Sequence, residues 1–483
     1  MGSRHINLWK ELDWWTVLMY LTLVLIGWIS IYASTYDFDH ASIFAFTERS
    51  GKQMLWIVLA ICIAFIILML DSDIYDRFAY LVYGGMLLLL IVTIFVAPDI
   101  KGSRSWLVLG PVSLQPAEFG KFATALAMAK LFSQYQFQFT KMKNYTRMGL
   151  LILIPFLLIL LQKETGSALV YSAFLIVLYR EGMSPLIMLG GFVITTLFIV
   201  SLKFADSIVE ITPIGDLLIY LIIQVIIILY IVFNSRKQYI AQNILLGTLV
   251  LFVLSGILLW MQIHINFAWV ALVSIFISIV YIFVLIVKEN AQELWMIVII
   301  TLISLLFSLS VNYVFNHVLE PHQQVRIRVS LGLEDDPSGV GYNVNQSKIA
   351  IGSGGIIGKG FLNGTQTKLK YVPEQDTDFI FCTIGEEEGL WGSVGTIVLF
   401  TVLILRIIFL AERQRTIFPR IYGYCVASVF LFHLLINIGM VTGITPVIGI
   451  PLPFFSYGGS SLWGFTILLF IFLRLDVARL ERL

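Results

Sequence analysis

The chain has 483 residues, 59% hydrophobic and 13% charged, with a mean hydropathy of +0.91, which leaves too little polar surface to clothe a water-soluble domain. Its 31 basic and 30 acidic residues nearly cancel, so no basic excess is present to hold a nucleic-acid backbone. The remaining class is an all-α, polytopic membrane helix bundle.

A bilayer core of about 30 Å is crossed by about 20 apolar residues. The first run, Trp14 to Ser34, is too long for a signal-peptide core and reads as a retained span. Runs from Gln53 to Leu70 and from Phe78 to Ala97 follow. A further span, Ala117 to Phe132, rests least on hydropathy because it holds Glu118, Lys121 and Lys130. Next come Met148 to Gln162, Thr165 to Tyr179, Met183 to Leu202 and Leu217 to Asn234. From Gln238 to Val287, 50 residues carry no Asp, Glu, Lys or Arg and break only at Gln262, His264 and Asn266, which predicts a helical hairpin. Leu294 to Leu319, Leu390 to Leu405, Ile421 to Gly439 and Ser460 to Leu473 bring the total to about 14 spans, with both termini on one side. Basic clusters at Lys130, Lys141, Lys143 and Arg147, at Arg236 and Lys237, and at Arg406, Arg413, Arg415 and Arg420 make that side cytoplasmic. Cys62, Cys382 and Cys425 lie far apart and imply neither a disulfide framework nor a zinc site.

The opposite face receives Arg104, Lys163, Glu164 and one long segment, Glu320 to Glu388. Connections of that length are functional or disordered, and this one is neither Ser/Pro-rich nor of low complexity, so it predicts an ordered outer cap. It holds 16 of the 61 charged residues. The scarce charge is therefore concentrated where an exported polar substrate would meet the bundle.

Four features could carry chemistry. In GSGGIIGKG, Gly352 to Gly360 surround Lys359, but Ser353 and Gly360 stand where a P-loop needs Gly and Ser/Thr. Tight turns needing positive φ, or amides beside a lysine that bind an anion, both fit the string. Tyr371 to Asp378 run directly into Phe379, Ile380 and Phe381, where an acid at the junction is either a partly desolvated general base or, as Thr377 or Asp378, a helix N-cap. Glu118 and Lys121 share a helix face, as a mutual ion pair or a substrate site, and Glu164 beside Lys163 has the same ambiguity. Gly439 to Ser461, rich in Gly and Pro, predicts a re-entrant segment, because such backbone survives at membrane depth only inside protein or along a wet cavity.

Taken in order, GSRSWLVLG with LQPAEFGK, QKETGSALV, RIRVSLGLEDDPSGVGYNVNQSKIAIGSGGIIGKGFLNGTQTKL, PEQDTDFIF with IGEEEGLWG, and GITPVIGIPLPFFSYGGSS resemble the SEDS family (shape, elongation, division, sporulation). GKGFLNGTQ is more similar to its RodA, or elongation, branch than to its FtsW, or division, branch. The resemblance implies a peptidoglycan glycosyltransferase that polymerises lipid II on the outer face of the cytoplasmic membrane, with undecaprenyl pyrophosphate leaving. It implies that Asp378 is the essential loop aspartate, and so reverses the balance between cap and base. It matches Trp106, Glu118 and Lys121 to family positions important for activity, and Glu164 and Lys370 are further substrate-binding candidates. The leaving pyrophosphate is anionic, so Arg104, Lys121, Arg326 and Lys359 are the candidate cations to hold it. A divalent cation, Mg or Mn, is a possible cofactor on the same grounds, with no metal-binding motif to prove it. The implied partners are a class B penicillin-binding protein, elongation-complex membrane proteins and membrane lipids.

Three features depart from the family pattern. Lys163 and Glu164 stand where the family commonly has Pro-Asp, and Asp376 stands where it commonly has His. The family core usually has about ten spans, so four are additional. The expected organisation is core spans over 1–204, additional hairpins over 205–291, a core span over 292–319, the catalytic loop over 320–388 and C-terminal core spans over 389–483. A flippase for lipid-linked precursors competes, and so does a scaffold for the transpeptidase; no paired inverted halves support the flippase.

Overall fold

The computed structural model describes residues 8–36, 42–44, 46, 48–100, 102–110, 112–134, 137, 142–205, 207–235, 238–319, 321–331, 333 and 340–480. Lys141, Arg236, Lys237, Glu320 and the Arg326 side chain lie outside the described residues. Almost everything described is helical, and 11 helices are long and apolar enough to cross a membrane. Two shorter apolar helices, Thr165–Arg180 and Ile187–Lys203, and the charged helix Pro116–Phe132 accompany them. Leu and Phe side chains such as Phe95 stand in the open on the outward faces of these helices, as expected where lipid is the solvent.

The chain divides into two compact units, 1–183 with 336–483, and 184–335. This differs from the boundaries expected at 204, 291 and 319. Residues 321–331 fall in the second unit because Ile327 and Leu331 pack with Leu202, Val311 and Phe315. The segment expected as the catalytic loop, 320–388, is therefore shared between two units.

In the first unit the innermost helices are Gly459–Val477 and Ile417–Thr442, 83% and 67% buried, while Ala79–Val96 at 17% is peripheral. Aromatic side chains fill the space between them: Phe454 meets Tyr20 and Phe430 edge-on at 5.1 and 5.4 Å. The helix Ile417–Thr442 ends on Gly443 in the left-handed conformation. Residues 443–458 then run without regular structure, yet Ile450, Leu452, Phe454, Phe455 and Ser456 are buried. Irregular backbone inside the bundle places polar carbonyls where side chains must satisfy them. The short hairpin Leu107–Leu109 with Val112–Leu114 precedes Pro116, which opens its helix at the position where a missing N–H does no harm.

The second unit consists of Pro185–Lys203, Ile214–Tyr230, Gln238–Trp260, Phe267–Glu289, Trp295–His317 and Pro321–Ser330. The uncharged stretch of 50 residues forms two of these helices, and Asn266 caps the second by accepting the Ala268 N–H at 2.9 Å. Ile219, Ile223, Ile227 and Ile231 recur every four residues along the buried face of one helix and its continuation.

Candidate active site

The helix Pro116–Phe132 carries Glu118 and Lys121 on one face, both 2% exposed, with Lys121 Nζ donating to Glu118 Oε2 at 2.7 Å. A buried pair endures only if its remaining hydrogen-bonding capacity is met. Here Lys121 Nζ also lies 3.1 Å from His433 Nε2 and 4.5 Å from the Phe465 ring centre. His433 Nδ1 in turn lies 2.9 Å from the Pro451 carbonyl oxygen, on the irregular segment 443–458.

One turn along the same helix from His433, Asn437 spends both hydrogens of its amide on carbonyls, those of Ile450 and Asp378, each at 2.8 Å. The irregular segment and the stretch that carries Asp378 are thereby tied through one side chain. Gly449 adopts φ +77°, and a Cβ built there would lie 3.2 Å from Asp378 Oδ2. The carboxylate thus lies against a backbone position that only glycine occupies without strain.

The same segment receives the other strings. A Cβ on Gly166 would lie 2.7 Å from the Ile448 carbonyl oxygen, so the ETGSA turn closes directly on the neighbour of Gly449. Ser105 Oγ donates to Glu164 Oε2 at 2.9 Å, and the Arg104 N–H donates to the Gln162 carbonyl at 3.0 Å. The GSRSW loop is held to the Gln162–Glu164 turn in this way, with Trp106 half-buried beside it. The site is assembled from five separated stretches, carrying Arg104, Lys121, Glu164, Asp378 and His433, together with 448–451.

An open cleft of about 290 Å³ is lined by Glu48, Arg49, Lys370, Glu374, Asp376 and others. Arg49 pairs with Asp376, and its guanidinium stands 5.6 Å from the Tyr457 ring centre. The Tyr457 N–H donates to the Asp376 carbonyl at 2.8 Å, which fixes the loop two residues before Asp378.

Glu386 is the hub of the rest of the loop. Its Oε1 accepts from Lys359 Nζ at 2.6 Å and from the Gln366 N–H at 2.9 Å; its Oε2 accepts from the Thr367 N–H at 2.8 Å and from Thr367 Oγ1 at 2.7 Å. Burial alone pushes this carboxyl up, but Lys359, Thr367 and the Gln366 N–H outweigh it and hold it below the ordinary value. Burial pushes neighbouring Glu387 up to about 7, and the negative Glu386 beside it acts in the same direction. One of its oxygens has no partner among the described residues.

The geometry sets Asp378 against Gly449, links the Glu118–Lys121 pair to Pro451 through His433, and packs the Gly166 turn, with Glu164, against Ile448; Arg104 and Trp106 stand on the loop which that turn holds, and Lys370 lines the cleft with Asp376. Lys359 is engaged with Glu386, and Gly355, Gly358 and Gly360 all have positive φ, as tight turns require. The helix after Asp378 begins at Ile380 with Phe379 at the cap position, so neither Thr377 nor Asp378 occupies that position. Sequence reasoning missed Arg49, His433, Asn437 and Glu386. For the two on Ile417–Thr442 the signal was a polar residue repeated at i and i+4 inside an apolar run. Among the described residues, no group of three or more His, Cys, Asp or Glu side chains converges to hold a metal ion.

These features define a polytopic membrane protein with its polar chemistry gathered on one irregular buried segment. The chain belongs to the FtsW/RodA/SpoVE family of cell cycle proteins, whose model matches residues 12–212 and 221–481. It is 29% identical over 460 residues to the peptidoglycan glycosyltransferase RodA of Treponema pallidum (strain Nichols), covering 94% of this chain and 95% of that one. It is 46% identical over 145 residues to the peptidoglycan glycosyltransferase MrdB of Escherichia coli (strain K12), covering 30% of this chain and 39% of that one. The fold is similar to that of the Thermus thermophilus rod shape determining protein RodA, with TM-score 0.54 at 20% identity over 97% of this chain and 97% of the other. A chain solved in a peptidoglycan synthase complex that coordinates polymerization and crosslinking matches with TM-score 0.57 at 22% identity, over 97% and 98%.

Proposed function

We propose that this chain is a peptidoglycan glycosyltransferase of the RodA type, polymerising lipid II during cell elongation, with Asp378 as its general base. The observation that carries the reading is the setting of Asp378: its carbonyl is held by Asn437 while its carboxylate lies against Gly449. In the reaction the carboxylate takes the proton of a GlcNAc 4-hydroxyl as that oxygen attacks the MurNAc anomeric carbon. The new glycosidic bond forms as the bond to the pyrophosphate oxygen breaks, and undecaprenyl pyrophosphate departs with the electron pair.

The leaving group is an anion tethered to a lipid, so it needs cations at the edge of the bundle. Arg104 and Lys370 are exposed candidates, and Arg49 can turn from Asp376 toward a phosphate. Arg326 is a further candidate, while Lys359 serves better as the counter-ion of Glu386. The described residues do not fit a metal centre with three protein ligands. Mg²⁺ commonly takes one or two carboxylates plus substrate phosphates, so a divalent cation would arrive with the pyrophosphate.

Counted with the two shorter apolar helices and Pro116–Phe132, the 11 long ones give an even number of spans. Both termini and the Arg406 to Arg420 cluster then face the cytoplasm, and Asp378 faces outward. The chain has no K-T-G or S-D-N string, so cross-linking falls to a separate class B penicillin-binding protein as partner.

The test is polymerisation of labelled lipid II by the purified protein with its transpeptidase partner, wild type against Asp378→Asn. Loss of about 10²- to 10⁴-fold in glycan synthesis is expected. Equal glycan synthesis by both would remove Asp378 as base. Precursor movement across vesicles without glycan chains would replace the polymerase reading by that of a flippase.

A further inference from the structure

A continuous set of contacts joins the buried ion pair to the proposed base. Glu118 holds Lys121 at 2.7 Å, Lys121 meets His433 Nε2 at 3.1 Å, and His433 Nδ1 meets the Pro451 carbonyl at 2.9 Å. One residue back, the Ile450 carbonyl takes one Asn437 hydrogen, and the second goes to the Asp378 carbonyl, both at 2.8 Å. Gly449, adjacent again, is the residue that faces the Asp378 carboxylate.

The chemistry of each atom fixes the direction of these bonds. A carbonyl oxygen only accepts, so His433 must carry a hydrogen on Nδ1. With Nδ1 protonated, a neutral ring presents the Nε2 lone pair to Lys121, whose ammonium donates to it and to Glu118. Asn437 must present its nitrogen, because both of its partners are carbonyls; its oxygen has no partner among the described residues. His433 is 1% exposed and Asn437 fully buried, so neither touches substrate from solvent.

We propose that His433 and Asn437 are positioning residues: through their bonds to the Pro451, Ile450 and Asp378 carbonyls they hold residues 449–451 and the Asp378 backbone in register on one helix. The inference rests on Asp378 as the base. It goes further in naming what holds that base. The Pro451 and Ile450 carbonyls are two points at which the helix Ile417–Thr442 holds the irregular segment, one from each side chain. Release of either point lets the Gly449 wall and the Asp378 backbone move independently. A displacement of about 1 Å at a catalytic group costs about 10²-fold in rate.

Histidine has two substitutes that separate its two bonds. In His433→Asn the amide nitrogen falls near the place of Nδ1 and keeps the donor to Pro451, while the reach to Lys121 is lost. In His433→Gln the longer side chain reaches Lys121 and the Pro451 donor is lost. With the full-length protein, its transpeptidase partner and labelled lipid II, kcat of Asn437→Ala and of His433→Gln should fall about a hundredfold with KM within about threefold. His433→Asn should keep kcat within about tenfold of wild type. Hydrogen exchange at the 447–452 amides should speed up in the two impaired variants and not in His433→Asn.

Equal loss in the two His433 variants would overturn the proposal. So would an Asn437→Ala protein with wild-type kcat, or one whose loss lies in KM, or unchanged exchange at 447–452 in the impaired variants. Asp378→Asn in the same assay separates the two readings. If it polymerises normally, the base assignment fails; if it is inactive while Asn437→Ala is not, only the positioning role fails.

Discussion

The two compact units hold their helices together with different chemistry. Among the described residues, every buried charged side chain lies in the first unit: Asp13, Glu118, Lys121, Asp376, Glu386, Glu387, Arg474 and Asp476. Each buried polar residue of the second unit is uncharged: Ser201, Thr212, Gln224, Ser255, Ser274, Ser278, Thr301 and Ser304. Its core is an isoleucine-rich seam with hydroxyls that bond back to their own helices, as Ser278 does to Ser274 at 2.8 Å. A packed apolar bundle thus needs no buried ions to stand in a membrane. Of the ions in the first unit, Glu118 and Lys121 stand in the candidate site, while Asp13 and Asp476 pair with Arg406 and Arg413 and Glu386 with Lys359.

The largest expected effect comes from breaking the central pair. Lys121→Met leaves Glu118 buried without its cation and should lower stability by about 3–5 kcal/mol, read by thermal unfolding in detergent. Adding Glu118→Gln should recover much of that loss without restoring glycan synthesis. Recovery of both together would make the pair structural and erase the contrast between the units.

A smaller effect separates ion pairs that build the loop from those that meet substrate. Lys359→Met should lower stability by about 2 kcal/mol, since it removes a charge-assisted bond to buried Glu386, and should leave KM for lipid II unchanged. Raised KM at unchanged stability would instead make Lys359 a pyrophosphate ligand.

Glu387 gives a pH-dependent version of the same comparison. Its carboxyl is raised from the ordinary value of 4.5 to about 7, so between those values the folded protein holds a proton that the unfolded chain has released. Its stabilising contribution is complete below pH 4.5 and is lost as pH rises through 7. Glu386, held low, contributes in the opposite sense, above its ordinary value and not below its folded one. Glu387→Gln should therefore flatten the fall in stability between pH 5 and 8 and gain about 1–2 kcal/mol at the upper end. An unchanged slope would show that the proton resides elsewhere.

Much of the first unit was legible from sequence because its chemistry sits at local spacings. Glu118 and Lys121 are three apart on a helix, the glycines around Lys359 announce turns, and the Gly/Pro content of 443–458 announces irregular buried backbone. What stayed hidden were pairings across long separations. Nothing local joins Arg49 to Asp376, Lys121 to His433, or Asn437 to Asp378, since each bond depends on how distant helices pack. The division at 183/184 and 335/336 was hidden for the same reason: hydropathy marks spans and says nothing about which spans pack together.

The smallest expected effect is the sharpest control, because the two units contain buried amides in matching circumstances. Gln224, like Asn437, uses both amide hydrogens, here on Thr248 Oγ1 and Ser278 Oγ at 2.9 Å each, and leaves its oxygen without a partner among the described residues. Its partners, however, are side-chain hydroxyls already bonded to their own helices, whereas those of Asn437 are carbonyls of irregular backbone. Removal of Gln224 by a leucine loses two interhelical bonds of about 0.6 kcal/mol each and gains from relieving the unpaired oxygen. Gln224→Leu should therefore change stability by less than about 1 kcal/mol and leave polymerisation intact, while Asn437→Ala collapses kcat. If Gln224→Leu abolished glycan synthesis without unfolding the protein, function would have to extend into the isoleucine-rich unit, and the buried ions would no longer mark its boundary.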